Sequence, residues 1–254
     1  MVKKLNSLFA SKPWRSALLK VLAFGFGLFG LYFFNFSVPA FLAFLFLLAG
    51  IYFYQLPGRG HFRMSFLILV LVAIFVLVFF ASNFYLAVLS CLAFSFLFYL
   101  LMGITDLIFE NRQAVYLFFN TCLFLAVFLI FFGVDKSKYF LFINALLFLV
   151  IFLLFKECFN FLRSVNHNSL FIIHNSLFIA LVFSFLGLEL FWAINLLPIG
   201  FINSAILLAL FVFLTRDFTL IYFSGRLNRR FLVNHLLIFA ILVVFIFANS
   251  KWSI

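Results

Sequence analysis

The chain has 254 residues, of which 69% are hydrophobic, 9% are charged and 48 are phenylalanine. Soluble domains are roughly half apolar and a quarter charged, so a water-soluble fold is excluded as a home for this much aromatic surface. A net charge of +11 would suggest nucleic acid in a soluble protein. Here the basic residues flank apolar runs, which points to membrane topology and against nucleic acid as a partner.

The chain starts MVKKLNSLFASKPWR, a short basic segment over 1–16 that leads into an apolar run. Eight more apolar runs follow it, so it reads as an uncleaved first helix rather than a signal peptide. The expected spans are about 17–34, 38–54, 64–81, 84–104, 114–132, 139–155, 169–187, 200–214 and 231–248. Each is long enough, or nearly so, to cross roughly 30 Å of hydrocarbon at 1.5 Å per residue. They are continuously apolar, without the alternation of a barrel strand, and lipid-exposed backbone must bond to itself. The expected fold is an all-α polytopic transmembrane bundle, a single integral membrane domain over 1–254.

In the first span, Phe24 to Gly30 reads FGFGLFG, with Gly25, Gly27 and Gly30 in dinucleotide-fingerprint spacing. That fingerprint needs a preceding strand and exposed backbone N–H groups. Inside a membrane helix those groups are already bonded, so close helix packing at Ala23 and Gly27 is the better account. The fourth span ends at Thr105-Asp106, followed by LIFENR. Cys91, Cys122 and Cys158 have no zinc spacing and suggest no disulfide framework.

With the N-terminus cytoplasmic, 14 of the 17 Lys and Arg fall on the inner side, leaving Lys136, Lys138 and Lys251 outside. Trp14 then lies near the inner interface and Trp192 and Trp252 near the outer one. The C-terminus is expected outside, in the plasma membrane. The eighth span is the weakest, because apolar character continues past Arg216-Asp217 through FTLIYF. Glu189 and Pro198 interrupt the end of the seventh, so a re-entrant or interfacial piece over 188–199 is one alternative. An eight-span chain would turn the C-terminus inward.

Some spans rhyme. Phe142-Ile143-Asn144 opens a run ending at Lys156-Glu157, and 59 residues on Phe201-Ile202-Asn203 opens one ending at Arg216-Asp217. Asn120-Thr121 before CLFLAVF resembles Asn175-Ser176 before LFIALVF, with Asn234-His235 as a looser copy. A duplicated helical hairpin is one reading, as in many transporters; chance similarity in a Phe/Leu/Ile-rich chain is the other.

Of the six acidic residues, Asp106, Glu110, Glu157 and Asp217 fall at inner ends of spans. Glu157 lies about 27 Å and Asp217 about 24 Å from the outer boundary. The candidate site is an inward polar cluster of Asp106, Glu157 and Asp217 facing Asn120, His174, Asn175, Asn234 and His235. Ionisable groups at membrane depth are costly and carboxylates beside imidazoles relay protons or hold cations. The competing reading has these groups snorkelling to headgroups and anchoring helix ends, with Lys156 and Arg216 as anchors. Adjacent residues point about 100° apart, so Lys156-Glu157 and Arg216-Asp217 are not ion pairs by sequence alone.

No catalytic motif, cofactor site or metal-ligand set is present in the sequence. The expected partners are the bilayer and other membrane proteins or further copies of the chain. Three function classes remain: a small permease or ion- or proton-coupled carrier, a non-catalytic scaffold, assembly factor or complex subunit, and an intramembrane enzyme.

Overall fold

The computed structural model describes residues 12–55, 62–79, 82–106, 108–134, 140–165, 170–223 and 229–249. Among them are nine helices and no strands: α1 (Lys12–Phe33), α2 (Val38–Gln55), α3 (Arg63–Phe79), α4 (Phe84–Thr105), α5 (Arg112–Gly133), α6 (Phe140–Val165), α7 (Leu170–Asn195), α8 (Phe201–Phe223) and α9 (Arg229–Asn249). Six of these, α1 and α4 to α8, are long and apolar enough to cross a membrane, and shorter apolar helices cover Val38–Tyr52, Arg63–Phe79 and Val233–Ala248. The protein is an all-helical, multi-pass integral membrane protein.

Helix starts follow local chemistry. Asn83 caps α4 by accepting from the Leu86 amide at 3.3 Å, and Asn111 caps α5 by accepting from Ala114 at 3.1 Å. Each satisfies a donor that a helix start leaves orphaned. Pro39 lies in the first turn of α2, where its missing N–H costs nothing. The α1–α2 turn closes with Asn35 at φ 47° and Phe36 at φ 53°, and Phe36 N–H donates to the Leu31 carbonyl at 2.9 Å. A left-handed residue after a helix is a common stop.

Contacts divide the chain into two units, 1–119 and 120–254, and the division falls within α5. In the first, α1 packs on α2, α3 and α4, and α3 on α4. Phe24 stacks on Phe98 at 4.4 Å, and Phe44 and Phe66 close on that pair. Two of the three fingerprint-like glycines serve this packing. A Cβ on Gly25 would meet Ser95 Oγ at 2.6 Å, and one on Gly27 would meet the Phe44 ring at 2.8 Å, whereas nothing lies within 4 Å of Gly30.

In the second unit α6, α7, α8 and α9 pack in succession. Phe155 is its aromatic hub, 5.1 Å from Phe124 and 5.5 Å from Phe183. Trp192 donates its indole N–H to Asn144 Oδ1 at 3.1 Å, tying α7 to α6. Many large apolar side chains remain exposed, such as Phe46 at 83% and Leu141 at 82%. In water that surface would drive aggregation; in lipid it is the solvent-facing side.

Three helices outrun the apolar segments expected from sequence. α6 continues through Lys156-Glu157 to Val165, α7 through Glu189 to Asn195, and α8 through Arg216-Asp217 to Phe223. The 188–199 stretch is therefore mostly helix followed by a short turn. FTLIYF is helical and not a separate interfacial turn. Charged residues with long stems are good helix formers, so a break in apolarity is not a break in the helix.

Candidate functional site

The second unit holds the most consequential polar group of the chain. Ala205, Leu208, Ala209, Val212 and Arg216 are all buried along α8. Their spacing of three and four residues puts them on one face, so Arg216 extends the packed stripe of that helix. It is 1% exposed, among the largest fully buried side chains. Arg216 does not sit at a helix end: α8 runs seven residues further, to Phe223.

Its guanidinium is held on three sides. Nη1 donates to Thr121 Oγ1 at 2.9 Å and to Asn120 Oδ1 at 3.4 Å, both on α5. Nε and Nη2 each lie 3.4 Å from Asp217 Oδ1, and the Phe213 ring lies 5.3 Å away. Asn120 and Thr121 belong to the same compact unit as α8. Of these contacts, the Thr121 bond has the length of a strong charge-assisted one, typically about 2.7–2.9 Å. The pairs to Asp217 and Asn120 are longer, at 3.4 Å.

Asn120 follows the same logic on its own helix. Tyr116, Phe119, Asn120, Leu123, Phe124 and Val127 form the buried stripe of α5. Asn120 is 0% exposed, and its Nδ2 has no hydrogen-bond partner among the described residues. A buried donor left unmade costs about 1–3 kcal/mol, so the arrangement holds an unused, desolvated N–H2 group beside the arginine's partner oxygen.

Other groups surround the pair. Glu157 on α6 is buried at 6% exposure. The neighbouring Cys158 thiol is within electrostatic reach of Arg216 and Asp217. His235 on α9 is within electrostatic reach of Asp217, and its ring lies 6.3 Å from Phe218. Lys156 places its ammonium over the Phe152 ring at 5.9 Å. Thr215 and Thr219 donate back to their own helix, to Phe211 and Val212 and to Thr215 respectively.

Of the residues expected from sequence, the structure brings Asn120 and Asp217 together through Arg216, with His235 close to Asp217. Glu157 is buried on α6 in the same unit, and Asn234 is exposed on α9. His174 and Asn175 lie in α7, but their side chains fall outside the described residues. Asp106 belongs to the first unit, where it caps α4 and its Oδ2 lies 3.9 Å from Lys20 Nζ.

Sequence reasoning missed Arg216 and Thr121 as members of the cluster, reading Arg216 as an anchor. The signal was present: Arg216 follows Val212, Ala209 and Ala205 at helical spacing, on a face carrying the small residues that helix interfaces favour. Arg216 and Asp217 do form an ion pair, because the long arginine stem folds back over the angle between adjacent positions.

No family model matches the chain, and no curated protein or solved structure matches it. Fold and site together define a helical membrane protein with a buried arginine–carboxylate–amide cluster in its C-terminal half.

Proposed function

We propose that this protein is a small carrier of the cytoplasmic membrane, coupled to protons or another ion, with Arg216, Asp217 and Asn120 as its binding element. The observation that supports this most is the arginine itself, 1% exposed on a helix of membrane length. Charge within a membrane domain is costly, by about 2.5–3.5 kcal/mol on insertion scales, and it concentrates on substrate and ion routes. A purely structural pair would gain most from short bonds. Here the Asp217 oxygen sits 3.4 Å from Nη2, and the buried Asn120 Nδ2 has no hydrogen-bond partner among the described residues, which leaves a donor for a bound solute.

Asp217 is only partly buried, with 22% of its side chain exposed, and has His235 nearby. A carboxylate and an imidazole so placed are two groups able to accept and pass on a proton. In this reading the N-terminus is cytoplasmic and all nine helices cross the membrane.

One observation favours a second reading, a non-catalytic subunit. The Arg216–Thr121 bond joins α5 to α8, as a structural clasp would. A proteoliposome flux assay separates the two, using pH- and voltage-sensitive dyes with a panel of ions and small solutes. For a carrier, flux falls about tenfold or more in Asp217→Asn and Asn120→Leu, equivalent to at least about 1.4 kcal/mol on the barrier. Unchanged flux in both folded variants refutes the proposed binding element. No wild-type flux across the panel favours the subunit.

A further inference from the structure

The first unit carries a separate feature that the cluster around Arg216 does not use. Ser16, Leu19, Lys20 and Ala23 recur at i, i+3, i+4 and i+7 and share a face of α1. With Leu47 and Ile51 of α2 they line a groove of about 420 Å³. At about 30 Å³ for a water-sized group, that is room for roughly a dozen methylene-sized units.

The groove is amphipathic along its length. α1 and α2 form an antiparallel hairpin in which Gly27 faces Phe44. Stepping back along α1 and forward along α2 from that contact sets Ala23 level with Leu47, then Lys20 level with Ile51. One end is therefore apolar and floored by a small alanine. The other carries the Lys20 ammonium and Ser16, toward the end of α1 where Trp14 and Arg15 lie.

Lys20 is constrained but not saturated. Its side chain is 21% exposed and its contact with Asp106 is long, at 3.9 Å. An ammonium has three donors, so one distant carboxylate oxygen leaves capacity for a second anion. Leu19 is 68% exposed, so the groove opens toward the surroundings of the helix. In a bilayer those surroundings are acyl chains, and an apolar groove left unfilled forfeits dispersion contacts.

We propose that this groove binds one anionic phospholipid, its phosphate on Lys20 and an acyl chain between α1 and α2 over Ala23. The inference stands apart from the carrier reading, because it uses no residue of the second unit. A zwitterionic lipid has the same phosphate, but its own cation competes with Lys20, which is the basis of the expected preference.

Native mass spectrometry of the full chain in detergent tests this with phosphatidylglycerol and phosphatidylcholine of identical acyl chains. The wild type is expected to retain one phosphatidylglycerol under conditions that strip phosphatidylcholine. Lys20→Gln is expected to weaken phosphatidylglycerol binding about fivefold, from about 1 kcal/mol per basic residue near an anionic surface. Lys20→Arg keeps the charge and should retain binding. Ala23→Leu fills the groove without altering charge and should remove the retained lipid. Lys156→Gln, in the second unit, should change nothing. Equal wild-type retention of the two lipids overturns the proposal, as does wild-type retention in both Lys20→Gln and Ala23→Leu. Melting temperatures identify folded variants, and if Lys20→Gln fails to fold, Ala23→Leu decides the matter.

Discussion

Replacing Asn120 by leucine should leave the protein about as stable as before while abolishing the flux that the proposed carrier reading requires. Leucine keeps the branching of asparagine, with somewhat more bulk, at a site that is 0% exposed. What is lost is the Arg216 Nη1 bond to Oδ1, which at 3.4 Å is long. Side-chain hydrogen bonds in membrane helices average about 0.6 kcal/mol, and a charged donor raises that to about 1.5 kcal/mol. What is relieved is the unpartnered Nδ2, whose burial costs about 1–3 kcal/mol. Arg216 keeps Thr121 and Asp217, so no new orphan is made. The balance runs from a loss of about 0.5 to a gain of about 2 kcal/mol. Thr121→Val is the control, since it removes the 2.9 Å bond with no compensating relief and should lose about 1.5 kcal/mol. Reversible unfolding in mixed micelles measures both, alongside flux in proteoliposomes. An Asn120→Leu protein destabilised by more than about 2 kcal/mol would refute the balance of terms. A stable variant with wild-type flux would refute the functional role.

Four further outcomes follow from the packing and the charge pattern. Gly27→Ala forces its Cβ against the Phe44 ring and should cost about 1–3 kcal/mol, whereas Gly30→Ala meets nothing and should gain up to about 1 kcal/mol of helix propensity; paired unfolding curves test this. A Cβ at Gly103 would run into the Phe109 ring, which packs edge-on against Tyr99 at 5.8 Å. Gly103→Ala should therefore cost about 1–3 kcal/mol, and a double-mutant cycle with Phe109→Ala should recover most of it. Trp192→Phe deletes the indole donor to Asn144 and should lose about 0.6 kcal/mol or somewhat more; denaturation in bicelles is the measurement. A reporter fused after Ile254 should read as external, and a cytoplasmic signal would overturn the nine-span topology.

Much of the architecture was legible because lipid leaves a chain few choices. Continuous apolar runs must become helices. Helix ends were less legible. At Glu157 and Asp217 the sequence turns polar, but the backbone is indifferent to that change and continues for two turns. On α1, Gly27 was rightly read as a packing residue, but Ala23, expected to pack with it, lines the groove between α1 and α2, and the contact at Gly25 was not read. Ser95 and Phe44 come from other helices, and only Gly25 and Gly27 are closely approached.

The candidate site shows the same division. Asp217 and Asn120 stood out as rare polar residues in apolar surroundings, and a helical count along α8 would have added Arg216. No count could tell whether that face meets lipid or protein. Asp106 seemed equivalent to Asp217 because both end apolar runs, but the fold gives Asp106 to Lys20 on α1.

By itself, the sequence determined the solvent of this protein, its all-helical character and the approximate places of its helices. Those follow from transfer free energy and backbone hydrogen bonding, which act residue by residue and run by run. Only the tertiary structure decided which polar groups share a neighbourhood and which face one another across helices. In a chain whose helices are apolar all round, hydrophobicity cannot choose the inward face. Side-chain fit chooses it, through Gly27 under Phe44, Phe124 against Phe155 and Arg216 against Thr121.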